Sequence, residues 1–210
     1  MPSDNPLVTV LCITKDRRAW LPGMLRCFEA QDWTLRELIV VSEGEYVSDL
    51  IPKVPNIRHF VFEEGSFESV GAKLNFGCAL SRGKFIIFFF DDDYSAPDRV
   101  RDQVERLIST GKAVTGYHSM RYTDGQQWAM LHMTPQFAAP GSSLCFCRDW
   151  WAQNHFRPIS NGEDNEFVGD ARVAGQFVSS ESEQFMYQNV RVGQYVMRGH
   201  GWHSISSPAI

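Results

Sequence analysis

The chain has 210 residues, of which 43% are hydrophobic and 13% aromatic, so it can bury the core of one domain, expected to span residues 1–210. A net charge of −5 argues against a general nucleic-acid-binding surface. No apolar run approaches the roughly 18–20 residues of a membrane helix, and no signal peptide precedes Leu7, so we expect a soluble, cytoplasmic protein.

Apolar segments alternate with helical periodicities through the first half of the chain. Strands are predicted at residues 7–14, 35–41, 57–62, 85–90 and 112–118, and helices at residues 21–31, 71–80 and 97–108. Such alternation is typical of an α/β fold with a mainly parallel central sheet that is flanked by helices.

The second half has a different pattern, which we interpret as a small mixed part of the same compact domain. Strands are predicted at residues 127–133, 142–148 and 184–197, with a short helix at 149–155 and an acid-led helix within 161–175. We expect the boundary between the halves near residue 111, so that about 1–111 and 112–210 have different roles.

The stretch KFIIFFFDDDYSAPDR, residues 84–99, places three aspartates at the end of a buried strand. Asp91, Asp92 and Asp93 must leave the sheet in the crevice where open α/β sheets bind ligands. Because adjacent carboxylates repel one another, a divalent cation that takes oxygen ligands, Mg²⁺ or Mn²⁺, would be favoured among them. The alternative is that this acidic turn only caps the helix that starts near Pro97.

Two common nucleotide-binding motifs are missing, which argues against dinucleotide oxidoreductases and phosphate-loop NTPases. There is no G-x-G-x-x-G after the first strand and no G-x-x-x-x-G-K-[ST] anywhere in the sequence. Four segments instead resemble glycosyltransferase family 2, the inverting nucleotide-sugar transferases of the GT-A fold. In chain order they are VTVLCITKDRRAWLPGML, SVGAKLNFGCALSRGKFIIFFFDDDYSAPDRVRDQ, GSSLCFCRDWWAQNHFRPISNGEDNEFV and MRGHGWHSIS. Their order and spacing together carry the resemblance.

The resemblance implies a metal-dependent transfer of a sugar from a nucleotide-sugar donor to an acceptor hydroxyl. It also implies that about residues 1–111 form the half that binds the nucleotide sugar and about residues 112–210 the half that binds the acceptor. A metal, Mn²⁺ or Mg²⁺, that bridges the diphosphate neutralises the leaving group. Asp92 is the first candidate for metal contact, because the family's main metal aspartate lies five residues before a proline, here Pro97. A literal D-x-D reading would use Asp91 and Asp93, which share a face if strand geometry persists.

Two further features of the metal site also follow from the resemblance. The family commonly has an aspartate where this chain has Phe90, so the division of roles among the three aspartates stays open. His200 would complete the metal shell or touch the diphosphate, unless it belongs to a solvated tail.

A second acidic pair, Glu163 and Asp164, matches the family's Glu-Asp element. The acceptor hydroxyl loses a proton as it attacks, and a carboxylate within hydrogen-bond reach can act as the general base. By resemblance Asp164 is the base and Glu163 the second choice. The alternative is that both carboxylates only cap the helix that follows them.

Donor binding is expected from the first two strand ends, the phosphate-facing helix and the acidic turn. By resemblance the residues are Thr14, Lys15, Asp16, Arg17, Glu43, Lys73, Asn75, Asp91 and Asp92. Lys73 would supply the charge of an arginine that the family has where Leu74 stands, unless it is a surface lysine. A UDP-sugar is the favoured donor, although Ser42 replaces the first of two family acids and weakens the choice of uracil over guanine.

Two rival functions remain open at this point. One is a nucleotidyltransferase or sugar-phosphate pyrophosphorylase, although KDRRAWLPG is a poor match to the Gly-rich basic loop of those enzymes. The other is a non-catalytic nucleotide-sugar-binding module, against which the intact acidic residues argue. The acceptor stays undetermined among a saccharide, a lipid carrier, a protein and a hydroxylated DNA base, and so does the oligomeric state.

Overall fold

The computed structural model describes residues 5–123, 128–133, 139–181, 186–189 and 202–205, the last two stretches as backbone only. The strands within these residues are β1 (Val8–Lys15), β2 (Arg36–Glu43), β3 (Ile57–Phe62), β4 (Phe85–Phe88), β5 (Asp93–Ser95), β6 (Val114–Thr123), β7 (Trp128–His132), β8 (Cys145–Cys147), β9 (Phe177–Glu181), β10 (Met186–Asn189) and β11 (Trp202–Ile205). The helices are α1 (Leu21–Glu29), α2 (Val70–Ala79), α3 (Arg99–Thr110), α4 (Arg148–Gln153) and α5 (Glu163–Val173).

Four parallel strands form the core of the sheet, in the order β3-β2-β1-β4. Helices cover both faces, so the strands are apolar on both sides, as parallel sheets require. On one face, α1 and α3 bury Phe28 and Val104 in the same cluster as Val10 of β1. On the other face, α2 and α5 bury Leu74 and Phe167 in one cluster with Leu11. The carboxyl ends of β1, β2 and β4 therefore meet at one edge, between two helical layers.

Beyond β4 the sheet becomes antiparallel. β8 lies between β4 and β6 and runs against both, with Ile87 opposite Cys145 and Thr115 also opposite Cys145. Because β8 runs opposite to β4, the chain that enters β8 lies at the edge where β4 ends. This segment forms a tight 3-10 turn over Gly141–Ser143. Farther out, β6 pairs with β7 in antiparallel and with β9 in parallel orientation.

The predicted α/β class, with a mainly parallel first half and a mixed second half, is confirmed. The strand predicted at residues 85–90 ends earlier, at Phe88, because the chain turns and the Asp93 N–H donates to the Phe90 carbonyl at 3.3 Å. β5, β9 and β11 were not predicted: all three are short, and distant strands provide their pairing. No helix in the described ranges has the length and apolar character of a membrane span.

Candidate functional site

A cavity of about 340 Å³ lies at the edge where β1 and β2 end. The amino-terminal parts of α2 and α5 close its other sides, because both helices cover the same face of the sheet. The residues that line it are Ile13, Thr14, Lys15, Arg17, Glu43, Gly65, Phe67, Glu68, Ser69, Val70, Lys73, Phe90, Ser160 and Glu163. Of the residues expected to bind the donor, Thr14, Lys15, Arg17, Glu43 and Lys73 are thus gathered around one cavity.

The floor of the cavity contains a buried ion pair between Lys73 and Glu43. The Lys73 ammonium donates to the Thr14 carbonyl at 2.7 Å and to the Glu43 carboxylate at 3.2 Å. Lys73 is only 5% exposed, so the alternative of a surface lysine is wrong. Burial lowers the pKa of Lys73, although Glu43 opposes this effect. Burial would raise the pKa of Glu43, but the Gly65 N–H and the Lys73 ammonium outweigh it and lower that pKa.

The rim of the cavity is held by charged side chains from two loops. Lys15 pairs with Glu64 at 3.3 Å and lies 3.9 Å from Glu43. Asp16 faces the loop after β2, where its carboxylate accepts from the Glu45 N–H at 2.9 Å. A side chain at Gly44 would place its Cβ 2.3 Å from this carboxylate. Asp16 therefore braces the loop after β2 and is not among the lining residues of the cavity.

Two of the three adjacent aspartates share one guanidinium group. Asp91 accepts from the Thr14 hydroxyl at 2.6 Å and from Arg17 at 2.8 Å, and the same Arg17 nitrogen lies 3.4 Å from Asp92. Burial and the charge of Asp91 raise the pKa of Asp92 to about 6, against the opposing effect of Arg17. Arg17, in the turn after β1, thus offsets part of the negative charge of Asp91 and Asp92 beside the cavity.

Asp93 differs from its two neighbours. It begins β5, is 6% exposed, and both of its carboxylate oxygens are buried. Burial and the charge of Asp92 raise its pKa well above the usual range, while Arg99 acts in the opposite sense. The extended geometry that would align Asp91 with Asp93 does not persist, because the chain turns between β4 and β5. His200 lies outside the described residues.

The carboxylates of the acidic turn supply some, but not all, of the oxygen ligands that a hard divalent cation needs. Asp91 and Asp92 are carboxylates that already share a positive group, which indicates that a cation is favoured between them. Within the described ranges, no three His, Cys, Asp or Glu side chains form a complete metal centre. A site of two carboxylates suits Mg²⁺ and similar ions, which are commonly held by one or two carboxylates together with substrate phosphates.

The two carboxylates at the start of α5 have different surroundings. Glu163 lines the cavity, and burial together with the neighbouring Asp164 raises its pKa. Asp164 accepts from the Gly141 N–H at 2.8 Å through one oxygen and from the Asn165 N–H at 2.8 Å through the other. One oxygen thus satisfies a free amide in the first turn of α5, as the capping alternative expects, while the other contacts the turn before β8.

The structure gives Asn75 contacts that differ from the expected donor contact. Its amide nitrogen donates to the Phe156 carbonyl at 2.8 Å. Its amide oxygen accepts from the Phe156 N–H at 3.0 Å and from the Trp151 indole at 2.9 Å. Because both ends of the amide are engaged and Asn75 does not line the cavity, it joins α2 to α4 and the chain that follows.

Several residues of the site carried no recognisable signal in the sequence. Gly65 and Phe67 come from the loop before α2, and Gly141 from the turn before β8. The last had one available clue, since a Pro-Gly pair directly before a predicted strand marks a tight turn.

The sequence profile of glycosyl transferase family 2 matches residues 9–181. Among solved structures, S. aureus TarS 1–349 is similar to the chain with a TM-score of 0.71 at 14% identity, covering 87% of this chain and 60% of that chain. The same fragment in complex with UDP-GlcNAc gives a TM-score of 0.71 at 15% identity, covering 90% and 61%. Mannosyltransferase PcManGT from Pyrobaculum calidifontis, in complex with GDP-Man and Mn²⁺, gives 0.70 at 14% identity, covering 92% and 59%.

At these identities the solved structures establish the fold, and the expected GT-A architecture is confirmed. The chain spans about 60% of the length of these TarS and PcManGT chains. A comparison with curated proteins finds no match. The family profile covers most of the chain, from β1 to the end of β9, and includes every described residue of the cavity and the acidic turn. The chain therefore belongs to glycosyl transferase family 2.

Proposed function

We propose that the chain transfers a sugar from a nucleotide-sugar donor to an acceptor hydroxyl, with inversion at the anomeric carbon and with Mn²⁺ or Mg²⁺ as cofactor. The observation that carries this proposal is the cavity at the ends of β1 and β2. It is lined by Arg17, which pairs with Asp91 and Asp92, and by Glu163 at the amino terminus of α5. Family membership supports the reaction class.

The donor's nucleoside is assigned to the cavity side formed by Thr14, Lys15 and Glu43. The side chain of Lys15 is 45% exposed and can turn towards a ligand, whereas Glu43 is held by Lys73 and Gly65. A UDP-sugar is the favoured donor: TarS binds UDP and UDP-GlcNAc in solved complexes, whereas PcManGT binds GDP-Man with Mn²⁺. The UDP of the TarS complexes agrees with our preference for a UDP-sugar, and the GDP of the PcManGT complex is the competing choice.

The diphosphate is assigned to the acidic turn and Arg17. Asp91 and Asp92 are the residues that would hold a divalent cation, which supplies charge neutralisation for the leaving diphosphate when bound. Arg17 lines the cavity with its side chain 30% exposed, so it can pair with phosphate oxygens when the carboxylates take another partner. Lys73 lines the same cavity, and the Thr14 carbonyl and the Glu43 carboxylate hold its ammonium group in place.

The general base, which takes the proton of the acceptor hydroxyl, is assigned to the carboxylates at the start of α5. Asp164 is our first choice as the base and Glu163 the second, as the family pattern implies. The Gly141 N–H and the Asn165 N–H orient the Asp164 carboxylate and leave further lone pairs for an acceptor hydroxyl. Glu163 faces the donor cavity directly, which keeps it in consideration.

Thermal denaturation with a panel of UDP-, GDP- and dTDP-sugars, each with Mn²⁺ or with EDTA, tests the donor assignment. A donor at about 100 times its Kd stabilises the folded state by about 2.7 kcal/mol, or about 5–10 °C in Tm for a domain of this size. We expect UDP-sugars with Mn²⁺ to give the largest shift, and EDTA to remove most of it. No shift with any nucleotide sugar would overturn the proposal.

Donor hydrolysis then separates an enzyme from a binding module. Water can replace the missing acceptor, so an active transferase releases nucleoside diphosphate and free sugar slowly from its donor. We expect release with Mn²⁺ or Mg²⁺ and its loss in EDTA. Tight binding without any release would favour the non-catalytic module, and release of pyrophosphate from a sugar phosphate and a nucleoside triphosphate would favour the pyrophosphorylase.

A further inference from the structure

Arg99, the first residue of α3, is completely buried, yet its hydrogen-bond acceptors are all neutral groups. Its Nε donates to the Gln103 amide oxygen at 3.3 Å and its Nη1 to the Ser95 hydroxyl at 2.7 Å. Its Nη2 donates to the carbonyls of Phe88 at 3.0 Å and Ser142 at 2.7 Å. Burying a cation is costly, and here the charge of the buried Asp93 offsets part of that cost while neutral groups take up the hydrogen bonds of the guanidinium.

Besides Gln103 of its own helix, the acceptors of Arg99 come from three separate parts of the site. Phe88 ends β4 immediately before the acidic turn, and Ser95 belongs to β5 immediately after it. Ser142 belongs to the 3-10 turn before β8. A single planar guanidinium therefore joins both ends of the segment that carries Asp91 and Asp92 to the 3-10 turn.

Gln103, one helical turn after Arg99, strengthens the same connection. Its amide nitrogen donates to the Ser143 carbonyl at 2.7 Å, so α3 binds two successive carbonyls of the 3-10 turn. The turn also bonds internally, because the Ser143 N–H and hydroxyl both donate to the Pro140 carbonyl at 2.8 Å. Its position is consequently set by α3 rather than by solvent.

The 3-10 turn in turn contacts Asp164. The Gly141 N–H donates to the Asp164 carboxylate at 2.8 Å. A Cβ at position 141 would lie 2.7 Å from that carboxylate oxygen and 3.0 Å from the Asp164 Cβ, so only glycine permits this approach. The placement of the turn thus decides where the Asp164 carboxylate lies relative to the acidic turn.

We propose that Arg99 is a positioning residue for the transfer reaction. Through the 3-10 turn and the Gly141 N–H, it sets the Asp164 carboxylate at a defined place relative to Asp91 and Asp92. This inference rests on the proposed function, because it takes Asp164 as the acceptor's base and the acidic turn as the diphosphate site.

The kinetic test compares Arg99→Lys, Arg99→Met and Gly141→Ala with the matched control Gly169→Ala. Gly169 lies on the same helix as Asp164, and a Cβ there meets nothing within 4 Å. We expect Gly141→Ala and Arg99→Met to slow donor hydrolysis by about 10–100-fold with Kd for UDP and Mn²⁺ within about twofold, since misplacement of a catalytic group by 1 Å can cost 10²-fold. Arg99→Lys should be intermediate, and Gly169→Ala normal.

The second readout does not depend on activity. In ¹⁵N-labelled protein, the Gly141 amide resonance should move when Asp164→Asn removes the carboxylate charge. In Arg99→Met, and in Gln103→Leu as a milder change, the same resonance should move towards the position it has in the Asp164→Asn protein. The Gln103→Leu and Gly141→Ala proteins keep the test valid if Arg99→Met does not fold.

The two readouts distinguish the failure of each proposal. If wild-type protein neither binds UDP with Mn²⁺ nor hydrolyses any donor, the proposed function fails, and the Gly141 resonance still reports whether Arg99 sets the turn. If folded Arg99 or Gln103 variants leave the Gly141 resonance unchanged, the positioning role is overturned. Normal hydrolysis by Gly141→Ala would overturn it as well.

Discussion

Arg17 contacts both Asp91 and Asp92 through one nitrogen of its guanidinium group. It is held at 2.8 Å by Asp91 and more loosely, at 3.4 Å, by Asp92. Burial and the charge of Asp91 raise the pKa of Asp92. A divalent cation would relieve the repulsion that raises this pKa, and Asp92 stays the first choice for metal contact that the family pattern implies.

The raised pKa of Asp92 predicts that this residue destabilises the metal-free protein more strongly as the pH rises. An aspartate in an unfolded chain titrates near pH 3.9, whereas burial and the Asp91 charge raise the Asp92 pKa to about 6 in the folded state. Between these values the folded state binds more protons, so this contribution to the free energy of unfolding falls as pH rises from about 4 to about 6. We expect Asp92→Asn to be more stable than wild type in EDTA at pH 7, by about 1–3 kcal/mol.

Urea unfolding of both proteins in EDTA at several pH values between 4 and 7 measures this effect. The useful quantity is the free energy of unfolding of the variant minus that of the wild type, because the contributions of the other carboxylates cancel in this difference. That difference should grow with pH and level off above about pH 6, and Mn²⁺ should reduce it by stabilising only the wild type. A difference that does not change with pH would show that Asp92 titrates normally.

Asp164 is the residue on which the base assignment depends. Asp164→Asn keeps an oxygen that can accept from the Gly141 N–H, so the cap and the local packing should survive. The amide cannot take a proton, and we expect donor and metal binding to persist while turnover falls by about 10²–10⁴-fold, the usual contribution of a positioned base.

Glu163→Gln is the matched control for this prediction, because Glu163 precedes Asp164 and faces the donor cavity. If Asp164 is the base, the Glu163 variant should alter donor affinity more than turnover. A normal rate in Asp164→Asn with a slow rate in Glu163→Gln would reverse the two roles. Normal turnover in both variants would show that Glu163 and Asp164 only cap α5.

At the scale of elements, the approach of α2 to the chain before α5 builds the cavity. The Gly71 N–H donates to the Ile159 carbonyl at 3.0 Å, and a Cβ at Gly71 would lie 1.9 Å from the Arg157 carbonyl oxygen. This close contact brings Lys73 of α2 and Glu163 of α5 to one cavity. A larger residue at position 71 must push the two elements apart, since the neighbouring atom belongs to the backbone.

We therefore predict that Gly71→Ala lowers both stability and donor affinity. Overpacking of this kind costs about 1–3 kcal/mol, which urea unfolding can measure. The control is Gly23→Ala, at an equivalent early position of α1, where the nearest atom to a new Cβ is an Arg26 side-chain nitrogen at 3.9 Å. That variant should keep or gain stability through helix propensity. If Gly71→Ala is destabilised but keeps its donor affinity, the contact between α2 and the chain before α5 does not shape the donor site.

At the scale of the whole molecule, the change from parallel to antiparallel pairing at β8 assembles the site. The parallel strands β1, β2 and β4 end at one edge, and the chain enters the antiparallel β8 at that same edge. The 3-10 turn before β8 and the acidic turn after β4 are therefore neighbours, although about 50 residues separate them in the chain. Arg99 uses this proximity, since it binds carbonyls on both sides.

The sequence alone was sufficient for the alternating elements, the α/β class and the acidic turn. These follow from local patterns: apolar runs and helical periodicities mark elements that must be buried, and consecutive aspartates can only lie where the strand leaves the core. The family resemblance was sufficient to gather Thr14, Lys15, Arg17, Glu43 and Lys73, which the structure places around one cavity.

Tertiary structure decided which polar side chains face the cavity and which face the core. Asn75 and Asp93 are polar residues within motif segments, yet the first is engaged by Trp151 and Phe156 and the second is buried at the start of β5. Their directions depend on a turn after Phe88 and on contacts between residues about 75–80 positions apart in the chain. Arg99 and Gly141 were missed for the same reason, because their roles arise only from distant partners that the sheet brings together.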